Sequence, residues 1–358
     1  MQEMRHLDHM KLPLDLPEDV RTVQLSLLKE LGLRTDDWPR SAREIAKAVM
    51  ALSDFYAKHP EKSSPWSERW AQVAYVAYYM PLNFWRLCGV LARGQQINFF
   101  EGFEHYIDFG SGLGSLGMAF DQGGLRFRSG QCVERSHEAI SFHRKLSGSS
   151  RTPIDWSSSV SITQMRPNTL AILSYSFTEL TELPPWVHKC EGLLIVEPST
   201  RDDARRLQKL RASLLKVGWY VWGPCTHGGP CPLLELSERD WCHDRFEWTQ
   251  PEWLKSIETH MPIKNGTLPC SWLMLRKTSP SQKNVGKARM TGDLQEFKGF
   301  AKQLTCLDAT REFVAWQKRD FKNGYPDIRR GDLVQIKEGL IIRGNEIRAA
   351  HAEDVSLA

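Results

Sequence analysis

The chain has 358 residues, of which 41% are hydrophobic and 25% charged, an ordinary balance for a folded protein whose core needs no disulfides. Its longest apolar run, residues 73–80, is far too short to span a bilayer, and its opening residues mix acids with bases, which argues against a cleaved leader. The net charge is only +4 and sits near the C-terminus: residues 281–349 carry 14 Lys/Arg against 9 Asp/Glu, enough to approach phosphate or merely to solvate a surface. These features imply a reducing compartment, taken to be the cytoplasm, where clustered cysteines serve as ligands more often than as disulfides.

Residues 1–100 read as a helical region. Val20, Val23, Leu27, Leu28 and Leu31 follow helical spacing. Ser41 with Glu44 predicts a capping box for a helix through Ile45, Val49 and Leu52. Ser64-Pro65 predicts another helix start, and Pro81 should kink or end that helix. The aromatic density from Trp66 to Trp85 reads as core packing. Over residues 101–280 short apolar runs alternate with helix-like segments, the pattern of a doubly wound α/β sheet. Residues 281–324 read as a polar linker and a helix, and 325–358 as a small basic β-unit with a frayed tail.

Asp108, Gly110, Gly112 and Gly114 form D-x-G-x-G-x-G where a strand gives way to a helix. Glycines serve there because the backbone N–H groups must approach a ligand with no Cβ in the way. Gly112, Gly114 and Gly117 also satisfy G-x-G-x-x-G, the dinucleotide fingerprint. That register would start two residues late, and an acid at the strand end suits the ammonium of a methionine moiety. The loop therefore reads as a site for S-adenosylmethionine. Glu134, 20 residues beyond Gly114, is placed for ribose hydroxyls, and Asp155 for an adenine amine with Trp156 as a ring wall. Ser174 ends the strand where methyltransferases place groups that contact their ligands.

Cys225, Cys231 and Cys242 lie in one Pro/Gly-broken stretch, 223–243, and Cys270 follows at the mouth of a strand. Four thiolates able to converge point to a metal centre within a cysteine-rich insertion, 223–270. The spacing C-x5-C-x10-C is looser than the tight pairs usual for zinc and suits the wider perimeter of an iron–sulfur cluster, with zinc as the alternative. Cys88, Cys132, Cys190 and Cys306 read as buried structural thiols. His227 and His243 could replace a cysteine, but more readily lie behind the ligands or at the surface.

The glycine loop, the SYSFTEL segment, the LLIVEPST strand and the GPCTHGGPC…WCH stretch resemble the ribosomal small-subunit-associated methyltransferase-like family, which includes mitochondrial ribosome assembly factors. The resemblance covers roughly residues 65–280. It implies a class I, Rossmann-like methyltransferase fold and association with the small ribosomal subunit and its RNA. It also implies a [4Fe–4S] cluster, here on Cys225, Cys231, Cys242 and Cys270. Neither a membrane nor DNA is expected as a partner.

Two readings follow. One is an S-adenosylmethionine-dependent methyltransferase acting on or with small-subunit RNA; its catalytic residue is not identified, because Ser-Tyr-Ser-Phe stands where amino-directed enzymes carry Asn/Asp-Pro-Pro-aromatic. The other is a non-enzymatic assembly factor that uses the fold to hold RNA. A zinc-bearing methyltransferase with a different substrate is a third. Arg205, Lys209 and Lys216 on one helix, with Lys318, Arg319, Lys322, Arg329 and Arg330, are the basic residues expected to face RNA.

Overall fold

Two runs with no polar interruption, Leu170–Leu173 and Leu193–Val196, can only be strands covered on both faces, and every one of these side chains is buried. A computed structural model of the chain describes residues 11–59, 62–148, 150–161, 165–280, 287–308 and 310–358. It forms two compact units, Met1–Glu191 with Phe246–Leu268, and Gly192–Arg245 with Pro269–Ala358. Among the described residues no helix is long and apolar enough to cross a membrane.

The first unit opens with helices α1 (Glu18–Glu30), α2 (Trp38–Lys58), α3 (Arg69–Ala74) and α4 (Met80–Gln96). The expected capping box does not form. Asp37 caps α2 by accepting from Arg40 N, and Ser41 Oγ instead donates to Arg34 O at 2.8 Å. Nor does Pro65 begin a helix, since α3 starts at Arg69. Pro81 ends nothing: a π-turn at Tyr75–Tyr79 precedes α4, with Met80 N bonded to Tyr75 O, and the widened turn absorbs the missing proline N–H. Four parallel strands follow, β1 (His105–Phe109), β2 (Ser129–Val133), β3 (Ile154–Ser157) and β4 (Thr169–Ser174), in the order β3-β2-β1-β4. Helices α5 (Ser115–Gln122) and α6 (His137–Leu146) connect them.

The second unit holds β5 (Gly192–Glu197), α7 (Arg201–Lys216), β6 (Tyr220–Gly223), the short α8 (Pro232–Glu235) and the first two residues of β7 (Asp244–Glu247). After α9 (Glu252–Glu258) of the first unit comes β8 (Thr267–Arg276), which runs antiparallel between β5 and β6. Parallel strands with one reversed strand near the end are the α/β, class I methyltransferase arrangement.

Residues 281–324 were expected to be a linker and a helix; the linker's first residues, 281–286, lie outside the described residues, and in place of the helix residues 287–317 are mainly strand. A second sheet takes in β9 (Lys287–Met290), β10 (Gln295–Glu296), β11 (Phe300–Leu307), β12 (Thr310–Gln317), β13 (Leu333–Ile336), β14 (Ile342–Arg343), β15 (Glu346–Ala349) and β16 (Val355–Leu357), ordered β14-β15-β12-β11-β9-β13-β16 with β10 on β11. Its core is Met290, Val314, Trp316, Val334, Ile347 and their neighbours. The tail does not fray, because β16 pairs with β13.

Candidate functional site

β1 delivers the chain into the glycine loop, and the backbone there needs glycine. Gly110 has φ 74°, and a Cβ on it would lie 2.5 Å from Ser176 Cβ. Gly112 has nothing within 4 Å of where its Cβ would be, so the middle of the loop faces open space. Beneath Gly114 lies His143, buried and edge-on to Trp156. Burial lowers the His143 pKa to about 4, so its ring is neutral.

Asp108 is 2% exposed, and its Oδ1 finds no hydrogen-bond partner among the described residues. Burial, aided by the charge of Glu134, raises its pKa to about 7. A buried carboxyl oxygen without a partner is costly unless a ligand completes it. Glu134 is drawn onto the loop: Oε2 accepts from Gly112 N at 3.1 Å, while Oε1 accepts from Arg135 N at 2.7 Å and Ser136 N at 2.9 Å. One of roughly four acceptor positions on that carboxylate remains beyond these three bonds. Asp155 is exposed at the second position of β3, and Trp156 also takes the Arg144 guanidinium over its ring at 5.1 Å. Ser174 closes β4, half-buried.

Two features here were not read from the sequence. Tyr175, just past β4, is held at φ 57°, a left-handed conformation rare for an aromatic residue, and Ser176 Oγ donates to Phe109 O at 2.6 Å. In addition, Ser64 Oγ bonds the Tyr56 hydroxyl at 2.6 Å and the Tyr75 hydroxyl at 3.0 Å, and donates to Glu179 Oε1 at 3.4 Å. The π-turn places Tyr75, and π-turns concentrate at functional sites.

The thiols form a second site, within the second unit. A cavity of ≈ 20 Å³, larger than one water needs, is lined by Cys225, Cys231, Cys242 and Cys306, with His227 and Arg289 among its other walls. The fourth cysteine of the lining is Cys306, from β11. Cys270, expected in that role, is fully buried in β8 and is not part of the lining. Burial pushes up the thiols of Cys231, Cys242 and Cys306, and each feels the charge of Cys225 as well. Burial also works against the Arg289 guanidinium, but Asp244 and the sulfurs of Cys242 and Cys225 hold its proton more tightly than usual. Arg289 and Asp244 form a buried ion pair, and Trp272 Nε1 donates to Asp244 at 2.9 Å. Among the described residues no group of three or more His, Cys, Asp or Glu is arranged to hold a single metal ion. His227 lines the cavity, whereas His243 stacks on Trp241; burial, with help from nearby arginines, lowers both to about 4.

Helix α7 fixes the cysteine loop from one side. Arg211, fully buried, donates to His227 O at 2.6 Å and Gly229 O at 3.0 Å, between the first two cysteines. Arg205 Nη1 lies 3.0 Å from Leu233 O and 2.9 Å from both Ser237 O and Asp240 O, between the second and third. Arg205, expected to face RNA, is therefore turned into the protein; Lys209 and Lys216 remain exposed. Arg329 pairs with Asp327, and Arg330 with Asp293.

A model of the family described as mitochondrial small ribosomal subunit Rsm22 matches residues 69–266. No curated protein matches the chain. Among solved structures it is similar to an S-adenosylmethionine-dependent methyltransferase from Aquifex aeolicus, with 12% identity over 58% of this chain and 98% of that one, at a TM-score of 0.34. It is also similar to precorrin-6y C5,15-methyltransferase from Geobacter metallireducens, with 12% identity over 52% and 87% and a TM-score of 0.33. A third is magnesium protoporphyrin IX methyltransferase from Synechocystis, with 9% identity over 55% and 84% and a TM-score of 0.33.

Proposed function

The chain belongs to the mitochondrial small ribosomal subunit Rsm22 family, and from that premise we propose that it binds S-adenosylmethionine and acts on or with the RNA of a small ribosomal subunit. The observation that carries the cofactor is the Asp108 Oδ1, without a hydrogen-bond partner among the described residues, beside a glycine loop that faces open space. The methionine ammonium would take that oxygen, the ribose the remaining acceptor position of Glu134, and the adenine edge the carboxylate of Asp155. Eight free cysteines fit a reducing compartment, which we take to be the cytoplasm.

Methyl transfer is the first reading and a non-enzymatic assembly role the second. The second is favoured by the turn after β4: Ser176 spends its hydroxyl on Phe109 O, and Ser-Tyr-Ser-Phe stands where amino-directed enzymes carry Asn/Asp-Pro-Pro-aromatic. Incubating small-subunit particles with labelled S-adenosylmethionine separates the two. An enzyme transfers label to RNA; an assembly factor binds the particles and transfers none.

For the thiol cavity we propose a [4Fe–4S] cluster on Cys225, Cys231, Cys242 and Cys306. The donor chemistry fits: four cysteines line one cavity, and the cationic Arg289 in its wall suits an anionic group. When bound, the cluster supplies a cross-link between the cysteine loop and β11. Zinc is the competing occupant. Iron, sulfide and zinc analysis after anaerobic purification decides between them, and zinc alone at one per chain would remove the cluster.

A further inference from the structure

Three phenylalanines of the C-terminal sheet stand outside its core. The β11–β12 register sets Lys302 opposite Ala315, Leu304 opposite Phe313 and Cys306 opposite Arg311. Strand alternation then puts Phe300, Lys302, Leu304, Cys306, Arg311 and Phe313 on one face, the one opposite buried Ala301, Gln303 and Thr305. Phe297, in the turn before β11, is 45% exposed, and its ring stacks on Phe300 at 4.8 Å and 13°.

Cations accompany these rings. Lys302 Nζ lies 5.4 Å from the Phe297 centroid and 4.5 Å from that of Phe313, and the Arg311 guanidinium lies 5.5 Å from Phe313. Lys298 is exposed beside Phe297, and Lys318 N donates to Gly299 O at 3.0 Å, which brings a third lysine to the same turn. The acids of these strands, Glu296 and Glu312, alternate onto the other face, opposite Ala301 and Thr305. The result is an aromatic surface exposed at Phe297 and half-buried at Phe300 and Phe313, with lysines and without carboxylates on its strand positions. An exposed ring with lysines around it matches the two parts of a single-stranded nucleic acid, a flat base and its phosphate.

We propose that this face binds a single-stranded segment of RNA, with a base stacked on Phe297 and phosphates met by Lys298, Lys302 and Lys318. The identity of the polymer rests on the small-subunit RNA reading above; the location rests on the sheet. Paired bases hide their ring faces within the duplex, so a helix cannot use Phe297 in this way. The face ends at the thiol cavity, where Cys306 and Arg311 pair across the strands and Arg311 Nε donates to Asp240 of the cysteine loop at 2.6 Å.

Fluorescence anisotropy of the full chain with a short single-stranded oligoribonucleotide, and with the same sequence as a duplex, tests the platform. Phe297→Ala should weaken single-strand binding about tenfold while leaving duplex binding unchanged. Lys302→Glu should weaken it and reduce the salt dependence by about one phosphate. Lys298→Glu, on an exposed turn, repeats the test should Phe297→Ala fail to fold. Tight single-strand binding by the wild type with all variants equal to it overturns the platform alone and leaves the face to a protein partner. Failure of the wild type to bind either RNA overturns the RNA reading as well.

Discussion

Asp108 is a carboxyl held where water cannot solvate its charge, and its behaviour with pH follows. Its pKa of about 7 lies above the ordinary carboxylate value, so the folded chain holds that proton more tightly than the unfolded chain does. The stability this group contributes is complete below the ordinary carboxylate pKa and is lost as pH rises to about 7. Asp108→Asn removes the loss, so its melting temperature at neutral pH should exceed that of the wild type. The same substitution removes the carboxylate proposed for the methionine ammonium, and calorimetry should show S-adenosylmethionine binding about tenfold weaker. Wild-type affinity should climb as pH rises to about 7, below the range in which the amine gives up its own proton, and that of the variant should stay flat over the same interval. Equal affinities at neutral pH would take Asp108 out of the cofactor site. The thiols offer a second residue-level test. Cys306→Ser should lower iron and sulfide content as far as Cys225→Ser does, and Cys270→Ser should leave both unchanged. Loss of iron in Cys270→Ser alone would restore the ligand set expected from the sequence.

At the level of elements, α7 is a brace for the cysteine loop. Arg205 and Arg211 together satisfy five carbonyls of a stretch that has only the short α8 as regular structure. Charge-assisted hydrogen bonds of this kind contribute roughly 1.5–3 kcal/mol each when they are buried. Arg211→Ala should therefore open residues 223–243 to proteolysis and lower the denaturant midpoint, and Arg211→Lys should not rescue it, because one ammonium cannot span two carbonyls in the plane of the fork. Resistance to protease equal to the wild type would show that the loop holds itself. The brace was hidden in the sequence because a helix of alternating Arg, Lys and Leu looks the same whether its arginines meet solvent or carbonyls. The sheet strands were legible for the opposite reason: Leu170–Leu173 and Leu193–Val196 are apolar at every position. β11 carries no such signal. Its inner positions are Ala301, Gln303 and Thr305, small or polar, with Gln303 Nε2 donating to Gly292 O and Thr305 Oγ1 to Arg289 O. Without an apolar period of two, the segment reads as linker and helix, and Cys306 goes unnoticed as a partner for the other thiols. The course of the glycine loop from strand to helix was legible, by contrast, because Gly110, Gly112 and Gly114 all take the positive φ that favours glycine.

Across the whole molecule, the net charge of +4 overstates what is free to meet phosphate. Of the basic residues expected to face RNA, Arg205 is bound to carbonyls, Arg329 to Asp327, and Arg330 to Asp293, which Arg245 shares. Lys209, Lys216, Lys318, Arg319 and Lys322 remain exposed. The two groups should separate in a pair of measurements on the same chain. Arg330 has a side chain only 12% exposed, and its pairing with Asp293 joins two loops of the C-terminal sheet. Arg330→Ala should lower stability by no more than about 1 kcal/mol, since Asp293 is half-exposed and keeps Arg245 as a partner, and leave the salt dependence of RNA binding as it was. Lys322→Ala should leave stability unchanged. If Lys322 meets a phosphate, the slope of log affinity against log salt should fall by about 0.7, the share of one phosphate on a single strand. A slope that drops with Arg330→Ala instead would mean that its ion pair opens on RNA and that the internal pairing seen here is a reserve of binding charge. A wild-type affinity indifferent to salt would remove phosphate from the interaction altogether.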